Sequence, residues 1–282
     1  MAIANDLMFY IFTHIETDIN LDELSEMMGI NKFHMHKLFK EHFGRNIYET
    51  IKSIRLQKAS NLLLSNPNST ISQVAQLCGY SSQTSFIRAF KEHFAMTPGQ
   101  WRRGGYRTYS QNLLYASSVP KGDHTTFETL TPQIEKMPEM EAFYIRQQGY
   151  DPALKASWQK LQTWLYSREI EHYTMVSLFH DNPAITPLQE CHHVACILKE
   201  EGMPQTDRKL PTLRIAKGVY ARFDIAGERN DLLRFIHWVY HEWLPQSGYE
   251  TTTKPPYAIY RKNHHLSKDE RFEMSFYLSI SL

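Results

Sequence analysis

Phe39–Phe43 reads FKEHF, and Phe90–Phe94 reads FKEHF again, 51 positions later. The flanks repeat as well. NLDELSEMMGINKFHMHKLFKEHFG (Asn20–Gly44) aligns with TISQVAQLCGYSSQTSFIRAFKEHFA (Thr70–Ala95). Leu21, Leu24, Met27 and Met28 stand where the second copy has Ile71, Val74, Leu77 and Cys78, and Gly29 stands where it has Gly79. After that glycine the offset grows from 50 to 51, a one-residue insertion in a turn. A shared apolar period, a shared glycine and a shared pentapeptide mark a duplicated structural unit rather than a chance match.

Each copy predicts a short amphipathic helix, a glycine turn and a second helix. Thr70 and Gln73 have capping-box spacing, and Asn20 with Glu23 is a close variant. Gly29 and Gly79 fall where a helix end calls for a left-handed residue, and Asn31 and Ser81 or Ser82 can cap the second helices. Met35, Leu38, Phe39 and Phe43 recur at helical spacing, as do Phe86, Ala89, Phe90 and Phe94. Two helices joined by a tight glycine turn are the helix-turn-helix signature. Between the copies Ile47–Leu64 reads as one long helix, which the segment SNPNS (Ser65–Ser69) breaks. Thr97-Pro98 opens a further short helix through Trp101 and Arg102.

The 282-residue length favours two domains. Charge is uneven along it. Residues 20–107 carry 12 Lys and Arg against 6 Asp and Glu, whereas residues 111–282 carry 19 against 21, so a basic module precedes a mildly acidic remainder. That distribution suits a polyanion-binding segment. No stretch approaches about 18 uninterrupted apolar residues, so no membrane contact is expected, and three scattered cysteines suit a reduced, cytoplasmic setting.

The first hundred residues resemble the AraC/XylS family of transcription regulators. The residues that carry the likeness are Leu38-Phe39-Lys40 with Gly44, Ile71-x-x-Val74-Ala75, Cys78-Gly79-Tyr80, Ser85-Phe86-x-Arg88-x-Phe90-Lys91, Phe94, Thr97-Pro98 and Trp101-Arg102. It covers about residues 5–105, with Ala95 where many members carry glycine. The resemblance implies an all-α domain of two helix-turn-helix units on one linking helix, binding double-stranded DNA at two adjacent major grooves, with RNA polymerase as a further partner. With the FKEHF phenylalanines inward, the opposite faces offer Phe33, His34, His36 and Lys37 in one unit and Gln83, Thr84, Ser85 and Arg88 in the other as base readers. Lys40, Lys52, Arg55, Lys91, Arg102 and Arg103 are expected at phosphates. The lysines and histidines of FKEHF are then the DNA-facing rim, and KFHMHK against QTSFIR is where the half-sites differ.

Residues 107–125 turn small and polar, with Pro120 and Gly122, and read as a linker between domains 1–106 and 126–282. Beyond it strand-like alternation over Met140–Arg146, Tyr173–His180, His192–Lys199, Leu213–Ala226, Tyr257–Arg261 and Phe272–Ser281 flanks helical stretches at Ala153–Ser167 and Asp231–Leu244. Two β–α–β copies predict a pseudo-symmetric α+β domain with a cleft. This half looks like the GyrI-like effector-binding domain, carried by Tyr144-Ile145-Arg146 with Gly149, Trp158-x-x-Leu161, His180-Asp181-Asn182-Pro183, Gly218-x-Tyr220-Ala221, Trp243-Leu244-Pro245 and Pro256-Tyr257-x-x-Tyr260. The pairing is a Rob-like arrangement, and it implies a small-molecule effector.

Tyr144, Trp158, Trp164, Tyr257 and Tyr260 are the aromatic candidates for ligand contact, with Ala258 where family members often hold a buried glutamate, and Val194 where many hold an aspartate. Without that glutamate nothing offsets the desolvation of a lipophilic cation. CHHVAC (Cys191–Cys196) does not present four converging metal ligands, because strand alternation splits them. His264-His265 reads as a solvated loop. No cofactor fingerprint, metal site or catalytic constellation is recognised. The sequence therefore predicts a DNA-binding regulator, not an enzyme, with two other readings for the second half: a sequestering or hydrolytic domain, or a ligand-free protein surface.

Overall fold

Helix α1 (Ala2–His14) precedes two helix pairs, α2 (Leu21–Met27) with α3 (Lys32–Phe43) and α5 (Ile71–Leu77) with α6 (Gln83–Phe94), and α4 (Ile47–Ser65) joins the pairs. This is a computed structural model, which describes residues 2–15, 17, 19–116, 127–149, 153–207 and 209–281. The caps work as their sequence demands. Asn20 Oδ1 accepts from the Asp22 amide at 2.9 Å, Asn31 Oδ1 from His34 at 2.8 Å, and Thr70 with Gln73 closes a full capping box at 3.1 and 2.7 Å. Gly29 and Gly79 take φ of 67° and 73°, the left-handed turn between the helices of each pair. The Arg55 guanidinium lies close to Gly79, 2.8 Å from where a Cβ would stand.

The pentapeptides pack identically. Phe39, Phe43, Phe90 and Phe94 are buried, with ring centroids 4.5 Å apart in each pair. The first pair packs with Met35 and Ile51 against α1 through Leu7 and Ile11. The second is closed by Trp101, 4.6 Å from Phe94, whose indole N–H donates to the Ser60 carbonyl at 3.1 Å. His42 and His93 stand edge-on to the phenylalanine that follows each, at 4.8 and 4.5 Å, and His42 meets Asn5 at 3.3 Å. His42 is half-buried against the fold, whereas His93 is exposed on the solvent side of α6 beside Lys91.

Helices α3 and α6 end in the same left-handed residue, Gly44 at φ 73° and Ala95 at φ 56°. An L-residue with a Cβ pays about 1–2 kcal/mol for that conformation. Ala95→Gly is therefore expected to raise the stability of this unit by about 1 kcal/mol, read as a higher urea midpoint. A lower midpoint would show that the Ala95 methyl group contributes packing worth more than the strain.

After α7 (Pro98–Gln100) and a π turn over Trp101–Gly105 comes α8 (Tyr106–Ala116). The composition predicts linker over 107–116, where the structure has α8. It is a helix because Ser110 Oγ donates to the Ala184 carbonyl at 2.6 Å and receives His237 Nδ1 at 2.9 Å and His241 Nδ1 at 3.3 Å, which ties its polar face to distant chain. The rest of that linker, 117–125, lies outside the described residues.

Strands β1 (Gln133–Met137), β2 (Met140–Gln148), β3 (Met175–Phe179), β4 (His192–Leu198), β5 (Thr212–Ile215), β6 (Gly218–Glu228), β7 (Glu250–Thr251), β8 (Tyr257–Lys262) and β9 (Arg271–Ser281) follow, with α9 (Ala153–Tyr166), α10 (Arg229–Trp238) and α11 (Leu244–Ser247). Eight strands run in the order β1-β6-β9-β8-β3-β4-β2-β5, antiparallel throughout. The β–α–β copies thus share one sheet, joined where β8 pairs β3. Alternation sorts the side chains. Ala195, Ala258, Tyr260 and Phe276 face a core with Trp158, Leu161, Phe235 and Ile236 of α9 and α10. Tyr144, Val194, Cys196, Tyr257 and Tyr277 build a second cluster on the other face. The chain divides into two compact units, Met1–Tyr106 with Glu250–Lys254, and Arg107–Tyr249 with Pro255–Leu282. Among the described residues no helix is long and apolar enough to cross a membrane.

Candidate nucleic-acid interface and ligand cavity

Burying Met35, Phe39 and Phe43 leaves Phe33, His34, Lys37 and Lys40 on the solvent side of α3. Phe33 is 80% exposed, the most open of the large apolar side chains in the described chain. An aromatic ring held in water on a basic helix is poorly explained by stability. His36 is half-buried, stacked on Tyr48 at 5.5 Å. On α6 the Ser82 hydroxyl caps Ser85, and Gln83, Thr84, Ser85, Arg88 and Lys91 all face solvent.

The two helices share one further device. Lys37 lies 3.9 Å from Glu41, and Arg88 Nε lies 3.0 Å from Glu92, the same i,i+4 pair at equivalent positions of the two copies. Glu92 also receives Lys52 Nζ at 3.0 Å, and these two bonds, that from Lys52 foremost, hold its carboxyl below the usual range. The glutamate common to both FKEHF segments thus orients the basic residue that differs between them.

The six expected phosphate contacts separate. Lys40, Lys52, Lys91 and Arg103 are exposed. Arg55 instead donates to the Thr17 carbonyl at 3.3 Å beside Gly79. Arg102 donates to the Leu63 carbonyl at 3.2 Å and to Ser69 at 2.6 Å, clamping the end of α4, and burial lowers its pKa.

A cavity of about 580 Å³ opens in the second unit, between the sheet and α10. Of the six aromatic and Ala258 candidates, Tyr260 lines it. Trp158 stands edge-on behind Tyr260 at 5.8 Å, and Ala258 is buried on the same face. Trp164 packs on Phe143 at 4.9 Å and under Arg168 at 4.7 Å. Tyr144 and Tyr257 lie on the opposite face of the sheet, as does Val194. The structure therefore does not gather the aromatic set at one site.

It gathers histidines instead. His193 Nε2 meets Ser177 Oγ at 2.8 Å, and that hydroxyl donates to the Tyr260 hydroxyl at 3.0 Å. His264 and His265, read from sequence as solvated, both line the cavity with ring centroids 3.9 Å apart. His264 is 7% exposed, and its Nδ1 is buried without a hydrogen-bond partner. Burial above all pushes the imidazoles down, His193 to about 3, His264 to about 4 and His265 to about 2, so they are neutral at pH 7. Phe179, Leu233, Ile236 and Phe276 supply apolar wall. In CHHVAC, His193 faces the cavity side, Cys196 the other face, and His192 Nδ1 bonds Asp181 at 2.8 Å. Among the described residues no group of three such side chains is arranged to hold a metal.

Family models place these two halves. Residues 24–104 match one described as a helix-turn-helix domain, and residues 130–281 match one described as a GyrI-like small molecule binding domain. The chain is 30% identical over 105 residues to the probable transcription factor PqrA of Proteus vulgaris, which covers 36% of this chain and 85% of that protein. It is 36% identical over 95 residues to the xylose operon regulatory protein of Escherichia coli (strain K12), covering 34% of this chain and 24% of that one. To the right origin-binding protein of Escherichia coli (strain K12) it is 33% identical over 102 residues, covering 36% and 35%. The chain thus spans about a quarter to a third of the last two relatives. Its duplicated helix-turn-helix core and its antiparallel sheet with α9 and α10 agree with both matches: the chain belongs to the AraC-type helix-turn-helix family and joins to it a member of the GyrI-like small molecule binding domain family.

Proposed function

We propose that this chain is a transcription regulator that reads DNA with α3 and α6 and takes a small-molecule effector in the cavity of its second unit. The observation that carries the reading is the pair of recognition helices: identical buried residues hold them, and the exposed residues differ, Phe33, His34 and Lys37 against Gln83, Thr84, Ser85 and Arg88. Two such helices on one linking helix suit two adjacent major grooves about 34 Å apart. A regulator bound beside a promoter has RNA polymerase as its second macromolecular partner. Domains of 1–106 and 126–282 fit this division of labour.

Arg88 is the sharpest reader, because a guanidinium can bond bidentately to guanine. Arg88→Ala is expected to weaken specific binding by about 1–3 kcal/mol and to relax preference at one base position. Lys91→Ala should weaken specific and random DNA alike and lower the salt dependence by about one charge. Selection from a random DNA pool followed by salt-dependent titration checks both. Equal losses on specific and random DNA for Arg88→Ala would remove it from base reading, and failure to enrich a bipartite site would overturn the two-groove reading.

The cavity supports binding rather than turnover. Its imidazoles are too weakly basic to serve as general bases poised near neutral pH, and the hydroxyl of Ser177 behind the wall is buried between Tyr260 and His193.

A further inference from the structure

We propose that the cavity of the second unit takes a small organic anion, an acid group on an apolar body, with the acid seated at the His264–His265 end. This rests on the reading of that unit as the effector-binding half.

The charges around this end favour an anion. Arg229, at the start of α10, acts on both His264 and His265, and Lys155 of α9 acts on His265 as well. His193 of β4 adds a third imidazole, the hydroxyls of Tyr240 and Tyr260 also line the cavity, and its acidic lining residues are Asp181, Glu228, Asp269 and Glu270. Three of the four carboxylates on the wall are engaged: Asp181 accepts both the His192 amide and its Nδ1, Glu228 pairs with Arg271, and Asp269 with Lys262. Glu228, Asp269 and Glu270 are exposed at the rim. At the His264–His265 end a cation would meet Arg229, and the carboxylates of Glu228 and Asp269 are already held by Arg271 and Lys262.

The partner groups are ready. His264 Nδ1 is a buried polar atom without a hydrogen bond, which costs free energy until something fills it. Arriving as a carboxylate, the ligand turns the local charge balance round: an opposite charge in contact favours imidazolium. One proton then moves from solvent to a ring nitrogen, one N–H bond forms, and that N–H donates to the ligand oxygen. The apolar body has Phe179, Phe276, Leu233 and Ile236 to lie against, in a space within the usual range of small-molecule sites.

A matched series on one body separates the chemistries: 4-phenylbutyrate, 4-phenylbutanamide and 4-phenylbutylammonium, titrated calorimetrically into the full chain at about pH 6, 7 and 8. Two buffers of different ionisation enthalpy count the protons. The acid is expected to bind at least about tenfold more tightly than the amide, with the ammonium weakest. Its affinity should rise as pH falls, by up to about tenfold per unit, with net proton uptake. Arg229→Gln, at an exposed helix start, should lower the acid's affinity and leave the amide's unchanged. His264→Gln should remove the proton uptake, and the ring signals of His193 and His265 by NMR report whether that variant keeps its fold. If the amide or ammonium binds as tightly as the acid, or if no proton is taken up, the anion proposal falls while the effector reading stands. If none of the three binds and a panel of larger aryl and alkyl acids, amides and amines also fails, both fall.

Discussion

Acidification from about pH 7 to pH 5 is expected to destabilise the second unit by at least about 4 kcal/mol, above the range in which carboxylates chiefly titrate. Three buried histidines and the half-buried His237 carry this effect. His193 and His264 sit at the cavity, and His237 and His241 sit on Ser110 of α8. Burial is the leading cause at each, and it pushes them down to about 3, 4, 4 and 3 respectively. In the unfolded chain they titrate near 6.5. The unfolded state therefore binds more protons between about pH 6.5 and pH 4, so stability is complete above that window and is lost as pH falls into it. Each independent histidine contributes a slope of about 1.4 kcal/mol per pH unit. Counting one per cluster, because like charges within a cluster do not add freely, gives about 3 kcal/mol per unit. Domains of this size hold about 5–15 kcal/mol in all.

Urea titrations followed by tryptophan fluorescence check this, since Trp158, Trp164, Trp238 and Trp243 all report on the second unit. The midpoint should drop steeply below about pH 6.5, and His241→Gln should flatten the drop. Carboxyls such as Asp224 and Asp269, held low by their partners, lose their contribution only below about pH 4, so the two effects occupy different windows. A midpoint flat between about pH 7 and pH 5 would mean that these histidines are not buried neutral.

How much of this was legible in advance depends on whether the cause is local. The helix pairs were, because caps, glycine turns and a 3.6-residue apolar period are all local signals. Helix α8 was not. YRTYSQNLLYA is polar, and what holds it is Ser110 bonded to residues 74, 127 and 131 positions away. No window of sequence contains those partners. The ligand site failed for a different reason, and here the signal existed. Tyr257 and Tyr260 are three apart on one strand and so must point to opposite faces; parity alone separates them. Aromatic content singles out both, whereas His264-His265 has the composition of a polar loop. The pair is wall because the residues after β8 fold back over the sheet, which again is not local information. The repeated glutamate is a middle case. Its spacing to Lys37 and Arg88 is visible at i,i+4, but only the structure shows Glu92 shared with Lys52.

Phe90→Ala is expected to be the most damaging single change in the first unit, costing about 3–5 kcal/mol. The ring is fully buried and meets Phe86 at 5.6 Å, Phe94 at 4.5 Å and Trp101 at 5.7 Å, so its removal leaves a cavity walled by stiff aromatic rings. Such walls relax little, which places the cost at the upper part of the range. Phe39→Ala removes the matching ring of the first copy, where Met35, Ile51 and Ile54 are more adaptable neighbours, and should cost less. The functional consequence follows from the duplication. Losing Phe90 loosens α6 while α3 keeps its own Phe39–Phe43 stack, so hydroxyl-radical footprinting on the selected DNA site should lose protection at one half-site and retain it at the other. Lys91→Ala, on the exposed side of the same turn, is the control and should leave stability within about 0.5 kcal/mol. Equal loss of protection at both half-sites would show that the two helix-turn-helix units fold as one, with α4 transmitting the damage; loss confined to one half-site means that each FKEHF supports its own recognition helix.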